Sequence, residues 1–182
     1  MALLLQNEKE LMNMSKSKII GMVALIVFAM GILLVGDAVA GERVRAVSRE
    51  VYYMTTIHTV KVPDVEGHAI HLWEAKGISS SEKLGACLVS NMGTLDLIKG
   101  EGTHQGYGQV TCPDGSTFTA KFEGKNIGAG RTNTGSHSSE GTTTIFKGTG
   151  KFEGIQGGGT YKSYNMGPGQ WYSDVEFEYT LP

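Results

Sequence analysis

The sequence predicts an all-β protein in which roughly eight antiparallel strands close into an up-and-down barrel after an N-terminal signal helix. Three observations carry that expectation. Beyond the first forty residues, short runs rich in Thr, Val, Ile, Tyr and Phe recur between glycine-bearing turns. Of the 26 glycines, only Gly21, Gly31 and Gly36 precede Gly41, and a helical domain would lose about 1 kcal/mol at each of the others relative to alanine. No stretch after Gly41 sustains the i, i+3, i+4, i+7 apolar spacing of an amphipathic helix.

The first segment is of another kind. Ile19 to Val35 is almost wholly apolar, Lys16 and Lys18 stand before it, and Ala38-Val39-Ala40 follows it. A basic flank, an apolar stretch and an A-x-A site make a cleavable secretory signal over residues 1–40, with residues 41–182 as the barrel domain. The alternative is an uncleaved anchor, which would then be the chain's one contact with a membrane. The apolar run falls short of the about 20 residues that a spanning helix needs. A start at Met12 or Met14 would give a more ordinary signal length. Export implies a periplasmic or secreted protein.

The strands follow in order. Val47–Val62 reads as a long first strand ended by Pro63-Asp64, and Gly67–Ala75 as the second. The polar, serine-rich Gly77–Lys83 reads as a loop, and Ala86–Lys99 as a third strand interrupted near Asn91-Met92-Gly93. Gly100-Glu101-Gly102 turns the chain into Thr103–Cys112. Pro113-Asp114-Gly115 is the strongest turn signal, since proline presets φ and glycine accepts a positive one. Thr117–Lys125 runs back, Ile127–Glu140 reads as a loop, and Thr142–Gly150, Gly158–Tyr164 and Gln170–Leu181 complete the set, the last two joined through Met166-Gly167-Pro168-Gly169. A two-sheet sandwich is the alternative architecture.

Period-two alternation assigns faces. In the last strand Trp171, Val175, Phe177 and Tyr179 share one side, with Asp174, Glu176 and Glu178 on the other. Phe118, Ala120 and Phe122 likewise oppose Thr119, Lys121 and Glu123.

Composition narrows the partners. The formal net charge is −2 with both signs interspersed, so there is no basic stripe for a phosphate backbone and no nucleic-acid partner is expected. Cys87 and Cys112 are the two cysteines of the chain. In an exported protein they read as a disulfide worth about 3 kcal/mol in the chain-entropy model. Metal binding is the weaker alternative, because two thiols without C-x-x-C spacing make a poor ligand set.

The segment Gly148-Thr149-Gly150-Lys151-Phe152-Glu153-Gly154-Ile155-Gln156-Gly157-Gly158-Gly159-Thr160-Tyr161 resembles a late hairpin of calycin-like barrels. In particular it is similar to the allene oxide cyclase-like barrel group and to related exported bacterial proteins. The resemblance implies a closed barrel in which Gly154, Gly157 and Gly159 take left-handed or crowded positions while Phe152 and Tyr161 plug an end. It brings the cyclase activity of that group into view, with no residue here matching its cavity residues one by one. Members of that group assemble as oligomers, so the resemblance leaves a homo-oligomer open.

Candidate chemistry is sparse. His68-Ala69-Ile70-His71 is an H-x-x-H pair, but on a strand the two rings point to opposite faces and share no metal. His104 and His137 would help only if folding brought them near. Glu74 shares the face of His68, Ile70 and Leu72. If that face is inward, His68 and Glu74 form a titratable pair suited to general acid–base work; if not, they are hydrated and inert. Trp73, Tyr107, Tyr161, Trp171 and Tyr179 are candidates for an aromatic ligand wall, the competing role being ordinary core packing. There is no G-x-S-x-G elbow and no phosphate loop, and neither a metal nor a cofactor is expected. These features point to a binding module for a small apolar ligand. The alternatives are a cyclase or isomerase of the allene oxide cyclase kind, and a structural protein of the cell envelope.

Overall fold

The computed structural model describes residues 42–128 and 137–182. Within them, eight strands form one closed antiparallel barrel in simple sequence order. They are β1 (Arg43–Lys61), β2 (His68–Ser81), β3 (Gly85–Ile98), β4 (Glu101–Thr111), β5 (Thr117–Ile127), β6 (Ser138–Gly148), β7 (Gln156–Gly167) and β8 (Gln170–Thr180). Pairing of β1 with β8, from Arg43 opposite Thr180 to Tyr53 opposite Gln170, closes the ring and leaves no free edge. The sandwich alternative is thereby excluded. The signal segment and the centre of the loop expected over Ile127–Glu140 lie outside the described residues.

Alternation delivers the faces anticipated for β5 and β8. Phe118 is buried with Phe177 and Tyr179, and Arg45 and Glu176 form a 3.0 Å ion pair outside. The Pro113-Asp114-Gly115 turn forms as expected. Gly115 has φ 81° and donates its N–H to the Cys112 carbonyl at 2.9 Å, while the Ser116 N–H donates to Asp114 Oδ1 at 3.1 Å.

Three readings need correction. Gly77–Lys83 is mostly strand, because β2 continues through Ser81 and pairs with β3 down to Ser81 opposite Gly85. Its serines alternate strictly, with Ser79 and Ser81 buried inside, so polarity there reflects a polar interior rather than a loop. The third strand is unbroken through Asn91-Met92-Gly93. The next reversal uses Lys99-Gly100 rather than Gly100-Glu101-Gly102. Both residues have positive φ, 52° and 86°, as a two-residue hairpin of the primed type requires.

The up-and-down topology puts the β2–β3, β4–β5 and β6–β7 turns at one end, beside the start of β1 and the end of β8. That end is filled. Phe118, Ile145, Phe152, Ile155, Phe177 and Tyr179 form one buried cluster, with the Phe152 ring edge-on to Phe118 at 5.2 Å. Phe152 reaches it from a single 3-10 turn at Gly150–Phe152. The Cys87–Cys112 disulfide lies in the same cluster and ties β3 to the end of β4 across 25 positions of sequence. A second cluster, Trp73, Ala75, Leu95 and Leu97, sits nearer the opposite end, with Tyr52, Met54 and Phe122 against it.

Candidate functional site

A cavity of about 130 Å³ remains inside the barrel, lined by residues from both clusters and from the wall that joins them. It approaches the about 150 Å³ that accommodates a benzene-sized molecule. Its lower wall is apolar, built from Val89, Val110, Phe118, Ile145 and Phe177. Register decides the rest.

One row of inward residues is polar across six strands. Asn126 on β5 pairs with Ser139 on β6, Ser139 with Ser163 on β7, and Ser163 with Ser173 on β8. Ser173 in turn opposes Glu50 on β1, and Glu50 opposes Ser79 on β2. All six line the cavity. The serine hydroxyls are knitted together: Ser163 to Ser173 at 2.6 Å, Ser48 to Ser79 at 2.5 Å, and Ser173 donating to the Tyr52 hydroxyl at 3.3 Å.

Among the described residues, Glu50 is the one carboxyl lining the cavity, and no lysine or arginine lines it as well. Burial pushes its carboxyl up to about 7, against a smaller opposing effect of the Ser79 hydroxyl. It is therefore poised to hold or release a proton near neutrality. Burial also raises the neighbouring Tyr52 phenol, which stays neutral.

Two further rows share a different pattern. Trp73 on β2 is followed in register by Gly93, Gly106 and Phe122. His104 on β4 is followed by Gly124, Gly141 and Tyr161. In each row two bare glycines make room for rings to lie across the wall and meet. Trp73 and Phe122 approach to 5.9 Å between centroids, and His104 Nε2 is hydrogen-bonded to the Tyr161 hydroxyl. A methyl group on Gly124 or Gly141 would stand 2.7 or 2.6 Å from that hydroxyl oxygen. Burial lowers the His104 imidazole and leaves it neutral, although Asn126 beside the ring pulls the other way.

Among the described residues, three buried side-chain polar atoms lack a hydrogen-bond partner: Trp73 Nε1, His104 Nδ1 and Asn126 Oδ1. Asn126 is close enough to influence His104, yet the two atoms do not complete a bond. All three residues line the cavity. Each such orphan costs about 1–3 kcal/mol unless something fills the space and pairs with it.

The aromatic candidates divide. Trp73, Tyr161 and Trp171 line the cavity. Tyr161 is therefore mid-barrel, and of the two expected plugs only Phe152 packs in the filled end. Tyr179 packs on Phe177 at 5.9 Å within that end. Tyr107 points outward, 51% exposed, edge-on to Phe146. In the resembling hairpin, Gly154 has φ 73°, while Gly157 and Gly159 are crowded by the β8 backbone.

The condition set for a His68/Glu74 pair is not met, because β2 turns Trp73 inward and Glu74 outward. His68 instead bridges Asp64 at 2.6 Å and Asp96 at 2.7 Å, and His71 takes a different partner, Thr59, at 2.9 Å. Glu50, the polar row and the His104–Tyr161 pair were not singled out from sequence. In β1 the outward side carries Val47, Val51 and Tyr53, all half-exposed, so the strand's apolar parity points the wrong way. His104 and Tyr161 stand 57 positions apart, and only register connects them.

No protein-family model matches the chain, and no curated protein does. What stands established is the architecture itself, a closed eight-stranded antiparallel up-and-down barrel carrying a disulfide between Cys87 and Cys112.

Proposed function

We propose that this barrel is an exported binding module that takes one small, largely apolar molecule with a polar head into its interior. The carrying observation is one cavity with an apolar floor, lined by Trp73, His104 and Asn126, whose Nε1, Nδ1 and Oδ1 atoms are buried and unpartnered. Apolar walls with a few convergent polar groups are how small-ligand sites are built. Export to the periplasm or beyond is supported by the disulfide, since such bonds persist in oxidising compartments.

The test uses the protein's own fluorescence. Trp73 and Trp171 are its two tryptophans, and both line the cavity. Titration of residues 41–182 with 2-phenylethylamine and with its neutral counterpart 2-phenylethanol should give a saturable change with at least one of them. Absence of any saturable change with both would sink the binding reading.

A second reading, a structural protein of the cell envelope, draws on the outer wall. Val51, Ile78 and Leu88 are cross-strand neighbours on β1, β2 and β3 and are 51, 55 and 65% exposed. Self-association of a barrel that takes up neither probe would favour it.

A further inference from the structure

We propose that the molecule this cavity selects is a small hydrophobic amine, bound as its ammonium ion against the Glu50 carboxylate with its apolar body among the aromatic rings. This deepens the binding reading above and rests on it.

The argument begins with charge. A carboxyl inside a barrel is costly to ionise unless it is paired. The groups around Glu50 supply no cation. From its own strand come Ser48 and the neutral Tyr52, from β2 Ser79, and from β8 Ser173. The other titratable groups of the cavity are Tyr161, whose phenol burial raises, and His104, whose imidazole burial keeps uncharged. The cavity lining thus holds one carboxyl and, among the described residues, no lysine or arginine to pair with it. A cation brought in by the ligand completes that pair.

The second strand of the argument is the wall. Tyr52, Trp73, Phe122, Tyr161 and Trp171 all line the cavity, and Phe122 lies 5.9 Å from Trp73 and 6.3 Å from Tyr161 between centroids. Aromatic faces attract an ammonium through their quadrupoles, most strongly where water is excluded, and they pack equally well on an apolar body. The hydroxyls of Ser79 and Ser173 flank Glu50 in register and can share the remaining ammonium hydrogens. An anionic ligand finds no counter-charge here. A neutral one would leave Glu50 to be protonated, at no gain from its ionised form.

The recognition step is therefore the formation of an ion pair, with no bond made or broken. It also sets a pH dependence. Binding should be strong where Glu50 is ionised and the amine is still protonated, and should weaken on acidification as the carboxyl takes up its proton.

The experiment is isothermal titration of residues 41–182 with 2-phenylethylamine and with 2-phenylethanol, at pH 8.0 and pH 5.5, on the wild type and on Glu50→Gln. We expect the amine to bind at least tenfold more tightly than the alcohol at pH 8.0, with most of that preference lost at pH 5.5. Glu50→Gln should erase the preference while leaving the alcohol's affinity within about twofold. Near-ultraviolet circular dichroism of Glu50→Gln establishes that its aromatic packing is intact. Equal affinity of the two probes, or an amine preference that survives in a folded Glu50→Gln, overturns the amine assignment and leaves the binding reading standing. Binding of neither probe to the wild type removes both.

Discussion

Tyr161 reaches His104 across two intervening strands because the residues between them in register, Gly141 and Gly124, have no side chains. The hydrogen bond spans the inner wall of β5 and β6 like a strut, and it holds an imidazole that lines the cavity and whose Nδ1 is buried and unpartnered. Local geometry, interior volume and the polarity of the site thus depend on two absent methyl groups.

Gly141→Ala should be destabilising out of proportion to its size. The new methyl would meet the Tyr161 hydroxyl at 2.6 Å and the Glu123 carbonyl more closely still. Overpacking of this kind costs about 1–3 kcal/mol, and release of Tyr161 leaves His104 Nε2 without its partner. Urea denaturation should show that loss, whereas Gly85→Ala, where no atom lies within 4 Å, should show only the smaller strain of its positive φ.

Glu50→Gln should stabilise the barrel, and more so as pH rises. The folded carboxyl titrates at about 7 against an ordinary 4.5, so the unfolded chain releases its proton first. The wild type is then relatively most stable below about pH 4.5 and loses that advantage as pH rises through 7. The amide escapes this loss. Its gain should be on the order of 3 kcal/mol at pH 8 and below about 1 kcal/mol at pH 5, read from denaturation midpoints at the two pH values. A gain independent of pH would contradict an uncompensated acid at this position.

The Asp64–His68–Asp96 bridge should leave the opposite kind of mark on the outer surface. Hydrogen bonds that its ring donates to Asp96 and then Asp64 raise the His68 imidazole, and the bond accepted from His68 holds Asp64 below the usual carboxylate range. The histidine's contribution is complete below its ordinary value of 6.5 and fades as pH climbs through the raised one. That of Asp64 is present above 3.8 and fades on acidification. The difference in melting temperature between wild type and His68→Gln should therefore peak in mildly acidic solution and shrink at pH 9. Titration of the His68 ring by nuclear magnetic resonance checks the direction independently.

Replacing Cys87 and Cys112 together by alanine should lower stability by about 3 kcal/mol in the chain-entropy model. Because the pair lies in the filled end rather than in the cavity lining, probe affinity measured below the melting transition should stay within about twofold of wild type.

The architecture was largely legible in the sequence. Alternation in Gln170–Leu181 and the Pro113-Asp114-Gly115 turn both follow from interactions within a few residues, and they carry over into β8 and the β4–β5 turn. The site was not legible. Ser79 and Ser81 resemble loop residues until the barrel closes around them, and Trp73 and Glu74 cannot be sorted into inside and outside without the parity of β2.

By itself, then, the chain determined an all-β fold of about eight antiparallel strands, the Pro113-Asp114-Gly115 turn and the pairing available to two cysteines, because backbone preference, period-two patterning and turn chemistry are local. Tertiary structure alone decided that Glu50 faces inward in a row of serines and that Tyr161 meets His104. Those relations depend on strand register, and a shift of one residue in any strand would send each of these side chains to the opposite face.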